Sequence, residues 1–238
     1  MNIKGSHILV TGGSLGIGRE TAKQLVDQGA RVVITGRNET RLNEAAKATG
    51  ATPLVFDISD LNSIPAKATE ILDLLDGRLD VLVNNAGIGG NFATLGEVTA
   101  EDFDCVFRTN VFGLTLLTQE LLPALKTAKT AKTATVINVG STASLKGFAR
   151  GTVYAASKFA LRGISQSWQA ELRRENIRVC HINPSEVTTA FGSSDRNERA
   201  DTDKKLDSGD IAHTILSVIT MDDKGFIPEV TVWATNPF

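Results

Sequence analysis

Seven short apolar runs recur along this chain of 238 residues: HILVTG, RVVITG, TPLVFD, LDVLVNNAG, TATVINVGS, IRVCHINP and FIPEVTVWA. They are near-continuous Val, Ile and Leu rather than alternating apolar and polar. A strand reads that way only when both of its faces are covered. Between the runs lie longer amphipathic stretches: GRETAKQLVDQG, NETRLNEAAKATG, DLNSIPAKATEILDLL, residues 100–128, residues 152–176 and SGDIAHTILSVIT. Asn38 suits an N-cap and Gly50 the position past a helix end. Pro65 is tolerable only in a first turn or at a kink. Strands alternating with helices imply right-handed crossovers and a doubly wound, parallel α/β sheet with helices on both faces. Hydrophobic residues make up 42% and charged residues 22%, enough for a full core. No linker interrupts the pattern, so residues 1–238 read as one domain.

Other properties narrow the function. A formal net charge of -2 gives no reason to expect nucleic acid or an acidic membrane surface as a partner. No apolar run approaches the roughly 18 residues of a spanning helix, and the opening MNIKGSHILVTGG lacks the apolar centre of a secretory leader. The expected location is the cytoplasm, with no membrane contact. Cys105 and Cys180 lie far apart in apolar contexts, and both are expected to be small core residues. The three histidines have no ligand spacing, so no metal is expected. Two segments break the rhythm. Lys126–Ala134, KTAKTAKTA, reads as a solvated helix end, with a basic partner-binding patch as the lesser alternative. Residues 190–208 are polar and without pattern, as a substrate loop would be.

The first strand runs into TGGSLGIG, Thr11 to Gly18, and then into a helix. Gly12 permits a tight turn, Gly16 lets a pyrophosphate approach the backbone, and Gly18 lets helix and strand pack closely. The helix N-terminus then faces the anion. Further on, YAASK sets Tyr154 and Lys158 at i, i+4, on one helix face. With the spacing G-x-x-x-G-x-G, this pair resembles the short-chain dehydrogenase/reductase family, which has a Rossmann-type fold. NNAG (Asn84 to Gly87), RTNVFG with Asn110, Ser141, and NPSEVTT after the sixth strand follow in the family's order. The resemblance therefore covers essentially the whole chain.

The resemblance implies a site. Cofactor contacts would come from Gly12, Ser14, Leu15, Gly16 and Ile17 in the turn, and from Arg37 after the second strand. Asp57 and Ile58 would follow the third strand, with Asn84, Ala86 and Gly87 after the fourth. Pro184, Val187 and Thr189 would meet the nicotinamide end. Asp57 could instead cap the next helix. Ser185 replaces the usual glycine after Pro184, which restricts the backbone there, and Glu186 reads as a solvent-facing acid. The second strand ends in ITGRN, with Gly36 and Arg37 where an acid would favour a free 2′-hydroxyl. A guanidinium suits a 2′-phosphate, so NADP(H) is expected over NAD(H). A second basic residue inside the glycine turn is common in phosphate-preferring relatives, and here Leu15 holds that place.

Reduction of a ketone needs a hydride at carbon and a proton at oxygen. A free phenol titrates near 10, and lowering it by about three units takes about 4 kcal/mol of preference for phenolate. A neighbouring ammonium is the right kind of perturbation. By resemblance, Tyr154 is the acid/base, and Lys158 lowers its pKa and holds the nicotinamide ribose. Ser141 orients the substrate oxygen, and Asn110 holds a relay water. The expected activity is NADP(H)-dependent hydride transfer between the nicotinamide and a ketone or secondary alcohol. The nearest type is a 3-oxoacyl-[acyl-carrier-protein] reductase acting on a 3-oxoacyl thioester. The ending GFIPEVTVWATNPF is closer to 3-hydroxy acid dehydrogenases, the alternative reading beside a general carbonyl reductase. A non-enzymatic NADP(H) sensor is the reading from another class, and the intact Tyr154 and Lys158 oppose it. The substrate is a small molecule or is held on a carrier protein. Lys146, Arg150, Arg196, Arg199, Lys204 and Lys205 either meet an acidic group on it or are surface charges. Family members are commonly tetramers built on paired long helices, so a homotetramer, or a homodimer, is expected. Trp233, Pro237 and Phe238 are candidates for a second interface.

Overall fold

The structure is a computed structural model, and it describes residues 1–128, 133–191 and 204–236. Seven strands form one parallel sheet in the order β3-β2-β1-β4-β5-β6-β7. They are β1 His7–Thr11, β2 Arg31–Gly36, β3 Thr52–Val55, β4 Val81–Asn84, β5 Ala134–Val139, β6 Ile177–Pro184 and β7 Glu229–Val232. The helices are α1 Gly16–Asp27, α2 Glu39–Thr49, α3 Ile64–Leu74, α4 Ala100–Phe107, α5 Leu114–Lys126, α6 Thr152–Leu172 and α7 Ser208–Thr220. The chain order reverses between β1 and β4, which are paired from Ile8↔Val81 to Val10↔Val83. A crevice opens beyond the carboxyl ends of the strands at such a reversal.

The apolar runs explain the layers. Along β1, Ile8 and Val10 pack with Leu25 of α1 and with Ile211 and Ile215 of α7. The intervening Leu9 packs on the other face with Ile71 of α3, Leu117 of α5 and Leu161 of α6. Every residue of β1, β4, β5 and β6 is buried, whereas the edge strands β3 and β7 are half-buried. The continuous Val/Ile/Leu grain is therefore a property of the centre of the sheet. Local signals agree with it. Asn38 accepts from the Arg41 N–H at 2.9 Å, Gly50 turns left-handed at φ 78°, and Pro65 sits in the first turn of α3.

One reading is refined and two change. Residues 100–128 hold two α-helices joined by a π-helical turn, Arg108–Gly113. The helix from 152 ends at Leu172, followed by a 3₁₀ turn over Arg173–Glu175 and by Asn176 at φ 58°. Cys180 is buried, but Cys105 is exposed. The apolar neighbours of Cys105 in sequence lie on other faces of the short α4, where only Val106 is fully buried. Residues 129–132 of the Lys126–Ala134 repeat and most of residues 190–208 lie outside the described residues, as do Arg196, Arg199, Pro237 and Phe238. Among the described residues, no helix is long and apolar enough to cross a membrane.

Candidate active site

The turn after β1 is shaped by what its glycines leave out. A Cβ on Gly18 would strike the Gly12 carbonyl and the Asn85 side chain, so α1 packs hard against the turn. Asn85 Nδ2 donates to the Thr11 and Gly12 carbonyls at 2.9 and 3.1 Å. Thr11 Oγ1 accepts from the N–H groups of Asn85 and Ala86, both at 3.0 Å. Leu15, at the N-cap of α1, offers no capping side chain, and the first turn carries no acid. The helix start is thus left electropositive toward the crevice, the condition for holding an anion.

A cavity of about 970 Å³ occupies the crevice, near the upper end for small-molecule sites. Gly12, Ser14, Leu15, Gly16 and Ile17 form one wall, with Arg37, Asp57, Ile58, Ala86 and Gly87 beside it. Tyr154, Lys158, Pro184 and Val187 line the cavity as well, and so does Thr189, whose side chain lies against Gly16 of the turn. Asn84 does not reach the cavity. It is 2% exposed, and its Nδ2 donates to Thr118 Oγ1 on α5 and Asn138 Oδ1 on β5. Successive strand residues face opposite sides, and the cavity-lining position falls to Asn85. Sequence reasoning also missed Arg41, which lines the cavity with Arg37 from the first turn of α2. Its signal was its place four residues after Arg37. Asp57 accepts from the backbone and hydroxyl of Ser59 at 3.0 and 2.7 Å. It therefore closes a local turn rather than capping α3.

At the far end Tyr154 is 9% exposed. Burial holds its phenol above the ordinary value, and a hydrogen bond with the Ser141 side chain opposes that. Ser141 Oγ also accepts from the Ala143 N–H at 3.1 Å, which fixes the hydroxyl at the end of β5. Lys158 is buried too, and burial pulls its pKa down to about 8. Its Nζ donates to the Val139 carbonyl at 2.9 Å and lies 5.8 Å from the Tyr154 ring centroid. The expected depression of the phenol by Lys158 is absent from the protein alone. Desolvation of both groups outweighs an ammonium that points at a carbonyl. Asn110 is 1% exposed and behind the cavity wall. Its Oδ1 accepts from the Ile88 N–H and its Nδ2 donates to the Ile88 carbonyl, both at 2.9 Å. Nδ2 also donates to Ser157 Oγ at 3.0 Å. The π-helical turn aims Asn110 inward, and there it holds the chain after β4.

A buried polar chain supports Ser141. Its N–H donates to Ser144 Oγ at 3.2 Å, and Ser144 Oγ meets His181 Nε2 at 3.3 Å. His181 Nδ1 meets Ser165 Oγ at 3.0 Å. Ser165 gives its own hydrogen to the Leu161 carbonyl at 2.7 Å and accepts from Asn138 Nδ2 at 2.9 Å. Nδ1 must then carry the ring proton, and Nε2 accepts from Ser144. Burial, helped by the nearby Lys158 charge, pulls the His181 pKa down to about 4, so the ring is neutral.

Three phenylalanines that the sequence did not single out surround Tyr154. Ring centroids of Phe92, Phe148 and Phe191 lie 6.0, 6.5 and 5.5 Å from that of Tyr154. The basic residues near them are already engaged in part. Arg150 Nε donates to the Phe92 carbonyl at 3.0 Å, and Lys205 pairs with Glu186 at 2.8 Å. Lys146 lines the cavity.

Residues 6–200 match the family described as short chain dehydrogenase, and the chain belongs to that family. An oxidoreductase of Staphylococcus epidermidis, described as uncharacterized, is 32% identical over 233 residues, covering 97% of both chains. The NADP-dependent 3-hydroxy acid dehydrogenase of Schizosaccharomyces pombe is 28% identical over 248 residues, covering 98% of this chain and 94% of its own. The crystal structure of a metagenomic short-chain oxidoreductase in complex with NADP has a TM-score of 0.82 and 32% identity, covering 99% of this chain and 100% of the other.

Proposed function

We propose that this protein is an NADP(H)-dependent oxidoreductase that interconverts a ketone and a secondary alcohol, with residues 1–238 acting as one dinucleotide-binding and catalytic domain. The observation that carries the reading is one cavity bordered by an uncapped helix start, two arginines and the Ser141–Tyr154–Lys158 cluster. The residues fit the cofactor. The glycine turn packs too closely on Ala86, Ile34 and its own Gly12 carbonyl to admit side chains at Gly12, Gly13 or Gly18, and Gly12 and Gly16 border the cavity. Arg37 and Arg41 offer two guanidiniums where a 2′-phosphate would lie, and the second stands in for the basic residue missing at Leu15. The bound NADP of the metagenomic relative supports the same choice. When bound, the cofactor supplies or takes up the hydride at the carbonyl carbon. Tyr154 gives its proton to the substrate oxygen, Ser141 orients that oxygen by hydrogen bonding, and Lys158 holds the nicotinamide ribose. Asn110 keeps the Ile88 backbone in place beside them.

The first test is cofactor choice. Removing a charged hydrogen-bonding partner costs roughly 1.5–3 kcal/mol. Arg37→Ala and Arg41→Ala are each expected to weaken NADPH binding by about 10-fold to 100-fold and to leave NADH nearly unaffected. Fluorescence titration with both cofactors reads this, and an NADH preference in the wild type overturns it. For the substrate, a 3-oxoacyl thioester is the first candidate, because its apolar acyl arm suits a cavity end lined by Phe148, Phe191 and Trp233. A 3-hydroxy acid is the second, favoured by the name of the fission-yeast relative and by Lys146 at the cavity wall. NADPH oxidation across both classes decides, and tight binding without any turnover would favour a sensor instead.

Self-association is part of the proposal. Phe103, Phe112, Leu116 and Phe159 leave 37%, 44%, 37% and 45% of their surface exposed on α4, the π-helical turn, α5 and α6. Such a set marks an interaction face. A homotetramer or homodimer is expected by light scattering, and a monomer at micromolar concentration would refute it.

A further inference from the structure

The reductase reading leaves open what stands on either side of the reacting carbonyl. The surroundings of Tyr154 carry that question further. Phe92 follows β4, Phe148 follows β5 and Phe191 follows β6, so three separate loops bring one ring each to the same phenol. Phe92 and Phe148 also meet each other, with centroids 6.0 Å apart.

The rings are seated rather than merely adjacent. A Cβ on Gly151 would lie 2.5 Å from Phe148 Cζ. A Cβ on Gly89 would lie 3.0 Å from Phe92 Cζ and 3.4 Å from Phe191 Cε1. The two glycines leave flat clefts into which the rings fit. Phe148 and Phe191 nevertheless remain 50% and 38% exposed, and both line the cavity. Wet aromatic faces in a shaped pocket are apolar surface held ready for a ligand. Trp233, 66% exposed, adds an indole at the end of β7. The cations near the box do not compete for the same place. Arg150 is turned to the Phe92 carbonyl and Lys205 to Glu186, while Lys146 follows a 3₁₀ turn, Thr142–Ser144, after β5.

We propose that Phe148 and Phe191, which line the cavity, and Phe92, which packs against Phe148 and Tyr154 outside that lining, form an aromatic box that selects a ketone whose carbonyl carries a flat apolar substituent, an aryl group above all. This rests on the reductase reading. The substituent stacks in the box, the carbonyl oxygen meets Tyr154 and Ser141, and the other arm of the ketone leaves by the open side toward Lys146. A 3-aryl-3-oxoester or its thioester is the substrate class that fills every part of this space. Rings in T-shaped or tilted arrangement at 5.5–6.5 Å are already in the geometry that a further ring can join.

The test compares two esters that differ only at the box, ethyl benzoylacetate and ethyl acetoacetate, in the wild type and in Phe148→Ala/Phe191→Ala. Intrinsic ketone reactivity cancels in the ratio of the two kcat/KM ratios. Each large apolar contact in a pocket discriminates by about 10-fold to 200-fold. The preference for the phenyl ester is expected to fall at least about tenfold in the double variant, while NADPH affinity stays within about twofold. Both side chains are half-exposed, so the variant should fold, and Phe148→Leu/Phe191→Leu provides a milder second pair that should recover part of the preference. A ratio unchanged in both pairs overturns the box. Calorimetric titration of the same esters into the NADP⁺ complex separates the two hypotheses. Phenyl-selective binding lost in the variant, with no turnover, keeps the box and sinks the reductase. Turnover with no phenyl selectivity in rate or binding sinks the box alone.

Discussion

Tyr154→Phe is expected to lower kcat by about 10²-fold to 10⁴-fold, the usual worth of a positioned acid or base, and to leave NADPH affinity nearly unchanged. The substitution keeps the ring, so the contacts with Phe92, Phe148 and Phe191 persist. It removes one oxygen and its hydrogen bond with Ser141. Because burial raises the phenol's pKa, Tyr154 is fully protonated at neutral pH. That is the form a reductase needs, so ketone reduction should not gain rate with rising pH across the neutral range. Alcohol oxidation needs the phenolate and should climb as pH rises toward the phenol's pKa. Stopped-flow rates with saturating NADPH, together with a pH profile in each direction, check both statements. Wild-type turnover in the phenylalanine variant would remove Tyr154 from the mechanism.

Lys158→Met is expected to abolish most turnover and at the same time to stabilise the protein in the absence of cofactor. The ammonium has lost its water, and among the described residues its hydrogen-bond partner is the Val139 carbonyl, with the Tyr154 ring centroid 5.8 Å away. A pKa pulled from 10.5 to about 8 corresponds to about 3 kcal/mol against the charged form. The direction follows from proton counting. Between pH 8 and pH 10.5 the unfolded chain keeps a proton that the folded one has released, so stability rises with pH across that window. Below about pH 8 the whole penalty applies. Methionine retains the apolar stem without the charge, and at pH 7 the melting temperature should rise by roughly 5 °C. The pH dependence between 8 and 10.5 should flatten. A lower melting temperature at pH 7 would show that the ammonium is not a penalised group. Such a gain in stability at the cost of activity is what a buried functional charge predicts.

The layered sheet was readable because its signal is redundant. The central strands repeat the doubly covered grain, and α2, α4 and α7 carry side-chain caps at Asn38, Thr99 and Asp207. The glycine turn, Ser141, Tyr154 and Lys158 were readable because their spacing is local. What failed depended on which way a side chain points. Asn84 and Asn85 are identical in the sequence, and only the pleat at the end of β4 decides that Asn85 meets the crevice. Cys105 has apolar neighbours, but α4 is a short helix with one well-buried position. Arg41 becomes visible as a partner of Arg37 only once α2 is known to start at Glu39. Phe92, Phe148 and Phe191 are distant in sequence and share no motif, so their convergence exists only in three dimensions. His181 reads as an ordinary strand residue, because nothing local reveals that Ser144 and Ser165 flank its ring.

The origins of the box residues have a practical consequence. Ser141 and Tyr154 are anchored to the end of β5 and to α6, whereas each phenylalanine belongs to a different connecting segment. Substrate range and bond chemistry therefore reside in separable parts of the polypeptide. A library confined to residues 89–95, 145–150 and 190–191 could redraw the shape of the accepted ketone while the proton donor stays in register, which makes this scaffold a tractable starting point for tailored alcohol synthesis.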